Sequence, residues 1–249
     1  MCIVALAWQV VPDKPLVLLG NRDESYHREA APLSLWQDNT IIAGRDLQSG
    51  GSWLGITTAG RWAVITNYRE KSPPSDLTTS RGSLVADYLN SDQLPLAFLQ
   101  AVDPTQYAGF NLIVGTLTEA AVLGNRGTPP KSLEAGIHGL SNALLNTGWP
   151  KVRRLVNGFK ALNLTNDREV VDEGLTLLAD ETRAPDEELP NTGVDRMLEQ
   201  ILSPICIVSP NYGTRVSSVL VLAKEGYDFA EKTLKPIERE LVHLSGSWH

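Results

Sequence analysis

Cys2-Ile3-Val4-Ala5-Leu6-Ala7-Trp8-Gln9-Val10, then Pro12-Asp13-Lys14-Pro15, then Leu16-Val17-Leu18-Leu19-Gly20 and Asn21-Arg22-Asp23-Glu24, is the stretch on which the fold turns. Both apolar runs are rich in β-branched and aliphatic residues and are parted by turn formers, so they predict two strands around a tight turn. Neither run alternates apolar with polar, which predicts strands covered on both faces, as in a sheet inside a layered structure. Asn21-Arg22-Asp23-Glu24 is expected at the end of the second strand, where side chains emerge into a cleft.

Further strands are expected at Ile41–Ala43, Trp53–Thr57, Trp62–Asn67, Asn111–Thr116 and Ala120–Leu123, with a hairpin around Thr58-Ala59-Gly60-Arg61. Helical periodicity covers Gly82–Leu89, Leu94–Val102, Trp149–Leu162, Glu169–Ala179 and Val194–Leu202, and Val216–Ala223 with Tyr227–Lys232 closes as a hairpin. Hairpins outnumber strand–helix–strand alternations, which favours antiparallel sheets covered by helices over a doubly wound parallel sheet. No linker-like change of composition and no repeat divides the 249 residues, so a single domain over 1–249 is expected.

Twenty-two Lys and Arg against 29 Asp and Glu give a net charge of -7, with no basic stripe. Nucleic acid and anionic membranes are therefore poor partners, and a small molecule is the expected one. The apolar runs fall short of the ~20 residues that span a bilayer, and no signal-peptide pattern precedes them, which sets a cytoplasmic expectation. Cys2 and Cys206 have no CxxC spacing and are expected as free thiols. His27, His138, His243 and His249 do not fall at metal-ligand spacing, so no metal site is expected. There is no GxGxxG after a strand, no P-loop and no HExxH, and no cofactor is called for. Gly139-Leu140-Ser141-Asn142-Ala143 lacks the second glycine of a serine-hydrolase elbow.

Cys2 carries the chemistry if Met1 is removed, because a thiol and a free α-amine then share one residue. The amine's ordinary pKa of about 7.7–8.0 suits it to take the thiol proton and return it to a leaving amine. The competing reading makes Cys2 a small buried hydrophobe in a first strand. In a hairpin that starts at Cys2, Arg22 and Asp23 return to the thiol, where a guanidinium lowers the thiol pKa and a carboxylate orients the ammonium. Otherwise they are a surface pair at a strand end.

Together with Gly50-Gly51-Ser52-Trp53-Leu54-Gly55, Ile65-Thr66-Asn67-Tyr68-Arg69, His138-Gly139-Leu140-Ser141-Asn142 and Tyr212-Gly213-Thr214-Arg215, these blocks resemble the NRDE family, whose eukaryotic members are called transport and Golgi organisation protein 2. The layout is also similar to the choloylglycine and penicillin V acylase branch of the N-terminal nucleophile hydrolases. That resemblance implies an α+β fold, a four-layer αββα sandwich with antiparallel sheets. It also implies an amidohydrolase or acyltransferase acting on a linear C–N bond. Carried over, Cys2 is nucleophile and base, assisted by Arg22 and Asp23, although the acylases separate this Arg and Asp by two residues. Asn67 matches an oxyanion-hole asparagine, Asn142 the asparagine that holds the amine and the acyl oxygen, and Arg215 a late arginine of the central polar network. For both asparagines the competing reading is turn chemistry. Asn21, Glu24 and Trp53 are the candidate substrate contacts, Trp53 as a pocket lining or as a core indole in a hairpin turn. The alternative function is a non-catalytic carrier on the same fold, with haem or a lipid as ligand, haem trafficking having been proposed for eukaryotic relatives.

Overall fold

The computed structural model describes residues 1–37, 40–71 and 79–248; His249 lies outside them. Two antiparallel sheets lie face to face. The first has six strands, in the order β10 (Gly136–Leu140), β1 (Cys2–Val11), β2 (Lys14–Ser25), β11 (Tyr212–Leu222), β12 (Gly226–Thr233) and β13 (Val242–Ser247). The second is a meander of seven: β3 (Ala30–Leu35), β4 (Ile41–Asp46), β5 (Leu54–Thr57), β6 (Trp62–Asn67), β7 (Phe110–Gly115), β8 (Ala120–Gly124) and β9 (Thr128–Ser132). Helices α1 (Arg81–Leu89) and α2 (Pro95–Ala101) cover the outer face of the second sheet, and α3 (Pro150–Ala161) and α4 (Asp167–Leu178) that of the first. A short α5 (Arg196–Ile201) follows. This is the α+β sandwich expected, layered αββα.

The absence of alternation in β1 has the physical cause inferred for it. Cys2, Val4, Leu6 and Trp8 enter the core between the sheets, while Ile3, Ala5 and Ala7 enter a second core against α3 and α4. The hairpin is tight, with Val11 paired to Lys14, and Asp13 takes the left-handed conformation at φ 60° after Pro12. α4 starts where Asn166 and Glu169 cap each other, Asn166 Oδ1 accepting from the Glu169 amide and Asn166 Nδ2 donating to Glu169 Oε1.

The second strand runs past Gly20 to Ser25, so Asn21-Arg22-Asp23-Glu24 lies inside it instead of beyond its end. A strand sends successive side chains to opposite faces, so the motif is divided between the two sides of the sheet. Four strands escape the sequence pattern: β3, β9, β10 and β13. In β9, Thr-Pro-Pro-Lys-Ser, both prolines are tolerated because the strand lies on a sheet edge.

Candidate functional site

Cys2 pairs in register with Arg22, which pairs with Val216, so the thiol, the guanidinium and β11 stand in one row between the sheets. That row forms one wall of a cleft of about 360 Å³, which Arg22, Glu24, Trp53, Asn67, Arg81, Arg215 and Glu231 also line. Arg22 donates to Asp46 Oδ2 at 3.0 Å from across the sandwich, with Glu24 Oε2 at 3.8 Å. Burial opposes ionisation of Asp46, yet hydrogen bonds from Arg28 and Ser49 hold its carboxyl below the usual range. Arg22 is therefore fixed by a carboxylate anchored on the opposite sheet. Trp53 packs on Gly20, where any Cβ would approach its ring to 3.0 Å, so glycine at that position makes room for the indole.

The alternation of β2 turns Asn21 and Asp23 away from the face that carries Arg22 and Glu24. Asn21 was expected to contact substrate. It lies on the helix side, fully buried, its amide donating to the Leu178 and Ile205 carbonyls at 2.8 and 3.0 Å and its oxygen accepting from Ser217 at 2.7 Å. Every polar atom of that side chain is spent on holding α4 and the 205 segment to β2. Asp23 is also buried on this side; its Oδ1 accepts from Thr214 Oγ1 at 2.7 Å. Its backbone reaches the chain's start, with Asp23 N donating to Met1 O at 2.6 Å and the Met1 ammonium donating to Asp23 O and, at 3.0 Å, to the Tyr212 hydroxyl.

Asn67 reaches the cleft wall from the end of β6. Asn142 does not line the cleft. Its Nδ2 donates to the Asn67 carbonyl at 2.9 Å and its Oδ1 accepts from Ser141 Oγ, which also donates to the Cys2 carbonyl at 3.0 Å. In place of a direct hold on amine and acyl oxygen, Asn142 and Ser141 brace the backbones of Asn67 and Cys2 against each other. Arg215 sits at a break in register on β11 and donates to the Lys235, Ser25 and Arg28 carbonyls. It staples two backbone segments at the cleft mouth and pairs with no carboxylate among the described residues.

With Met1 in place, burial pushes the Cys2 thiol up to about 11, against the pull of the α-ammonium and Arg22. Burial likewise lowers the pKa of the α-amine. Cys206 is buried and free, and burial also pushes its thiol up to about 11.

Sequence reasoning missed several charged groups here. Arg81, at the start of α1, donates to the Gly109 carbonyl and has no carboxylate partner among the described residues. Lys151 is buried on the first turn of α3. Glu231, on β12, accepts from the Leu33 amide at 2.8 Å and Ser218 Oγ at 3.4 Å, and burial pushes its carboxyl up to about 7. An acid raised in the folded state is protonated there while the unfolded chain has already ionised. Glu231 therefore subtracts stability as pH rises from about 4.5 to about 7. We expect Glu231→Gln, which keeps the Leu33 bond, to abolish that slope and to gain on the order of 2–3 kcal/mol above pH 7. Urea midpoints of both proteins at pH 5 and pH 8 check this; a constant gap between them contradicts it.

The αββα sandwich is the fold of solved conjugated bile acid hydrolases. The C2A mutant of conjugated bile acid hydrolase from Clostridium perfringens matches at TM-score 0.52 and 10% identity, over 97% of this chain and 92% of that one. A second variant of the same enzyme matches at 0.50. The chain itself belongs to the Transport and Golgi organisation 2 family, whose model matches residues 1–236. The Bos taurus Transport and Golgi organization protein 2 homolog is 34% identical over 94% of this chain and 93% of its own length. The Homo sapiens homolog is 33% identical over 98% and 96%.

Proposed function

We propose that this protein is an N-terminal-cysteine amidohydrolase or acyltransferase acting on the linear C–N amide bond of a small molecule. The observation that carries the reading is Cys2, paired with Arg22 on the wall of a cleft of about 360 Å³ and met there by Asn67. The volume is that of a small-molecule site. Once Met1 is removed, the α-amine takes the thiol proton and Sγ attacks the carbonyl carbon. The C–N bond then breaks as the ammonium returns that proton to the leaving nitrogen. The thioester left on Cys2 is cleaved by water, or by a second amine in transfer. Asn67 is the amide donor for the oxyanion, a role worth about 3–4 kcal/mol. Seven cationic side chains line the cleft against the carboxyls of Glu24, Asp46 and Glu231, Asp23 being turned to the helix side, in a chain of net charge -7. A substrate bearing a carboxylate or phosphate suits that lining.

The carrier reading is favoured where Met1 stays in place, its ammonium bonded to the Asp23 carbonyl and the Tyr212 hydroxyl and not carried by Cys2. With Met1 retained, a thiol at about 11 is ionised to about one part in ten thousand at pH 7. In that form the cleft holds a ligand without cleaving it. None of the described histidines lines it, and the sulfurs of Met1 and Cys2 are the lining groups that could meet a haem iron.

Intact mass of the natively expressed protein, followed by mapped iodoacetamide labelling across pH, decides between the two. Loss of Met1, with Cys2 labelled at a midpoint below about 8.5 while Cys206 stays inert, is the expected result. Retained Met1 with inert Cys2 overturns it. A Soret shift on haem titration that disappears in Cys2→Ala then supports the carrier.

A further inference from the structure

Behind Cys2, on the face of the first sheet that carries α3 and α4, lie two charged groups that make no ion pair among the described residues. Lys151 is 2% exposed and its ammonium has no hydrogen-bond acceptor; Asp23 is 1% exposed and its Oδ2 has no donor. Lysine is almost never fully buried unless paired. Its position makes the burial worse, because it follows Pro150 in the first turn of α3, at the positive end of the helix dipole. A methionine would fill the same space without the charge, so packing gives no reason for a lysine.

The groups facing Lys151 come from every element around it. They are Asp23 from β2, Arg69 from the segment after β6 and Glu199 from α5, with Cys2 of β1 acting from the other face of the sheet. Tyr212 of β11 and the α-amine complete the surroundings of Asp23. Arg69 and Glu199 are already an ion pair, which leaves the Lys151 ammonium and Asp23 Oδ2 without a hydrogen-bond partner among the described residues. Lys151 and Asp23 are thus buried on the helix side of the sheet, and the Cys2 sulfur and Arg22 stand on its other face.

We propose that Lys151 is a positioning residue for the nucleophile. Its ammonium holds Asp23 as a carboxylate, and Asp23 holds the α-amine of Cys2 as ammonium once that amine has taken the thiol proton. The inference rests on Cys2 being the nucleophile. Burial pushes the Asp23 carboxyl up, and Lys151 is the largest influence pulling it back. Burial and Arg69 push Lys151 down to about 8, and Asp23, Cys2 and Glu199 oppose this.

The test uses the full chain and its variants Lys151→Met, Lys151→Gln, Asp23→Asn and Lys151→Met/Asp23→Asn. Infrared spectra with isotope-labelled aspartate read the ionisation of Asp23, and iodoacetamide labelling reads the pH midpoint of Cys2. At pH 7 Asp23 should be a carboxylate in the parent and a protonated carboxyl in either Lys151 variant. The Cys2 midpoint should rise by about one unit in Lys151→Met and in Asp23→Asn, with little further rise in the double variant, since one charge acts through the other. A merely structural lysine predicts a higher melting temperature in Lys151→Met with the Cys2 midpoint unchanged, and that result overturns the proposal. So do fully additive shifts. If Cys2 is inert in every form, the proposed activity fails, and the Asp23 band still decides whether Lys151 sets its charge.

Discussion

Cys2→Ala should lose at least ~10³-fold of turnover on any N-acyl substrate the parent cleaves, because removing a covalent nucleophile leaves only binding and oxyanion contacts. The fold should survive the change. Cys2 is small, and it packs against the inter-sheet core at one end of β1, while Val4, Leu6 and Trp8 fill the rest of that face. We expect a melting temperature within a few degrees of the parent. The measurement is turnover across N-acyl amides with anionic and neutral groups, beside a thermal melt of each protein. Activity retained in a folded Cys2→Ala protein would remove the thiol from the mechanism and leave the cleft as a binding site.

The largest stability effect is expected at Arg69. Its guanidinium donates to Glu199 Oε2 at 2.5 Å, both side chains are 5% exposed or less, and it stacks at 4.8 Å over Trp149. Arg69→Met leaves Glu199 buried with only the Thr192 donors, at a cost of about 3–5 kcal/mol. Adding Glu199→Gln should restore much of that loss, since the penalty comes from the stranded charge and not from the missing pair. Urea unfolding of the parent, both single variants and the double variant checks this through the midpoints. A single-variant loss below about 1 kcal/mol would place the pair in the class of screened surface contacts.

Much of the site could be read from the sequence because its information is local. A strand beginning at Cys2 and a tight turn at Pro12-Asp13 bring Arg22 and Asp23 back to the thiol, but counting from the Val11–Lys14 pair sets Asp23 opposite Cys2, and only a bulge between Trp8 and Val11 shifts the register by one and puts Arg22 there. Counting also contained the division of Asn21-Arg22-Asp23-Glu24 between two faces, but only for a strand that continues to Ser25. Four polar residues in a row do not advertise a strand. Asn142 and Arg215 were placed by resemblance, and their neighbours decide otherwise. Asn142 spends its amide on the Asn67 carbonyl, and Arg215 spends its guanidinium on three carbonyls. Arg81, Lys151 and Glu231 carry no signal of their own. Each is an ordinary charged residue in a helix or strand until the fold encloses it, fully for Lys151 and Glu231 and in part for Arg81.

The sequence by itself determined the layered class of the protein and the first hairpin. Continuous apolar runs require cover on both faces, and turn residues limit how the chain can reverse. Its blocks around Cys2 also determined the family. Tertiary structure alone decided which strands sit on edges, where β9 and β13 escape propensity. It also decided which charges share a cavity. β12 carries Glu231 to the cleft, and α3 delivers Lys151 behind a thiol 149 positions earlier in the chain. Such contacts depend on chain closure over long loops, and no periodicity along the sequence encodes them.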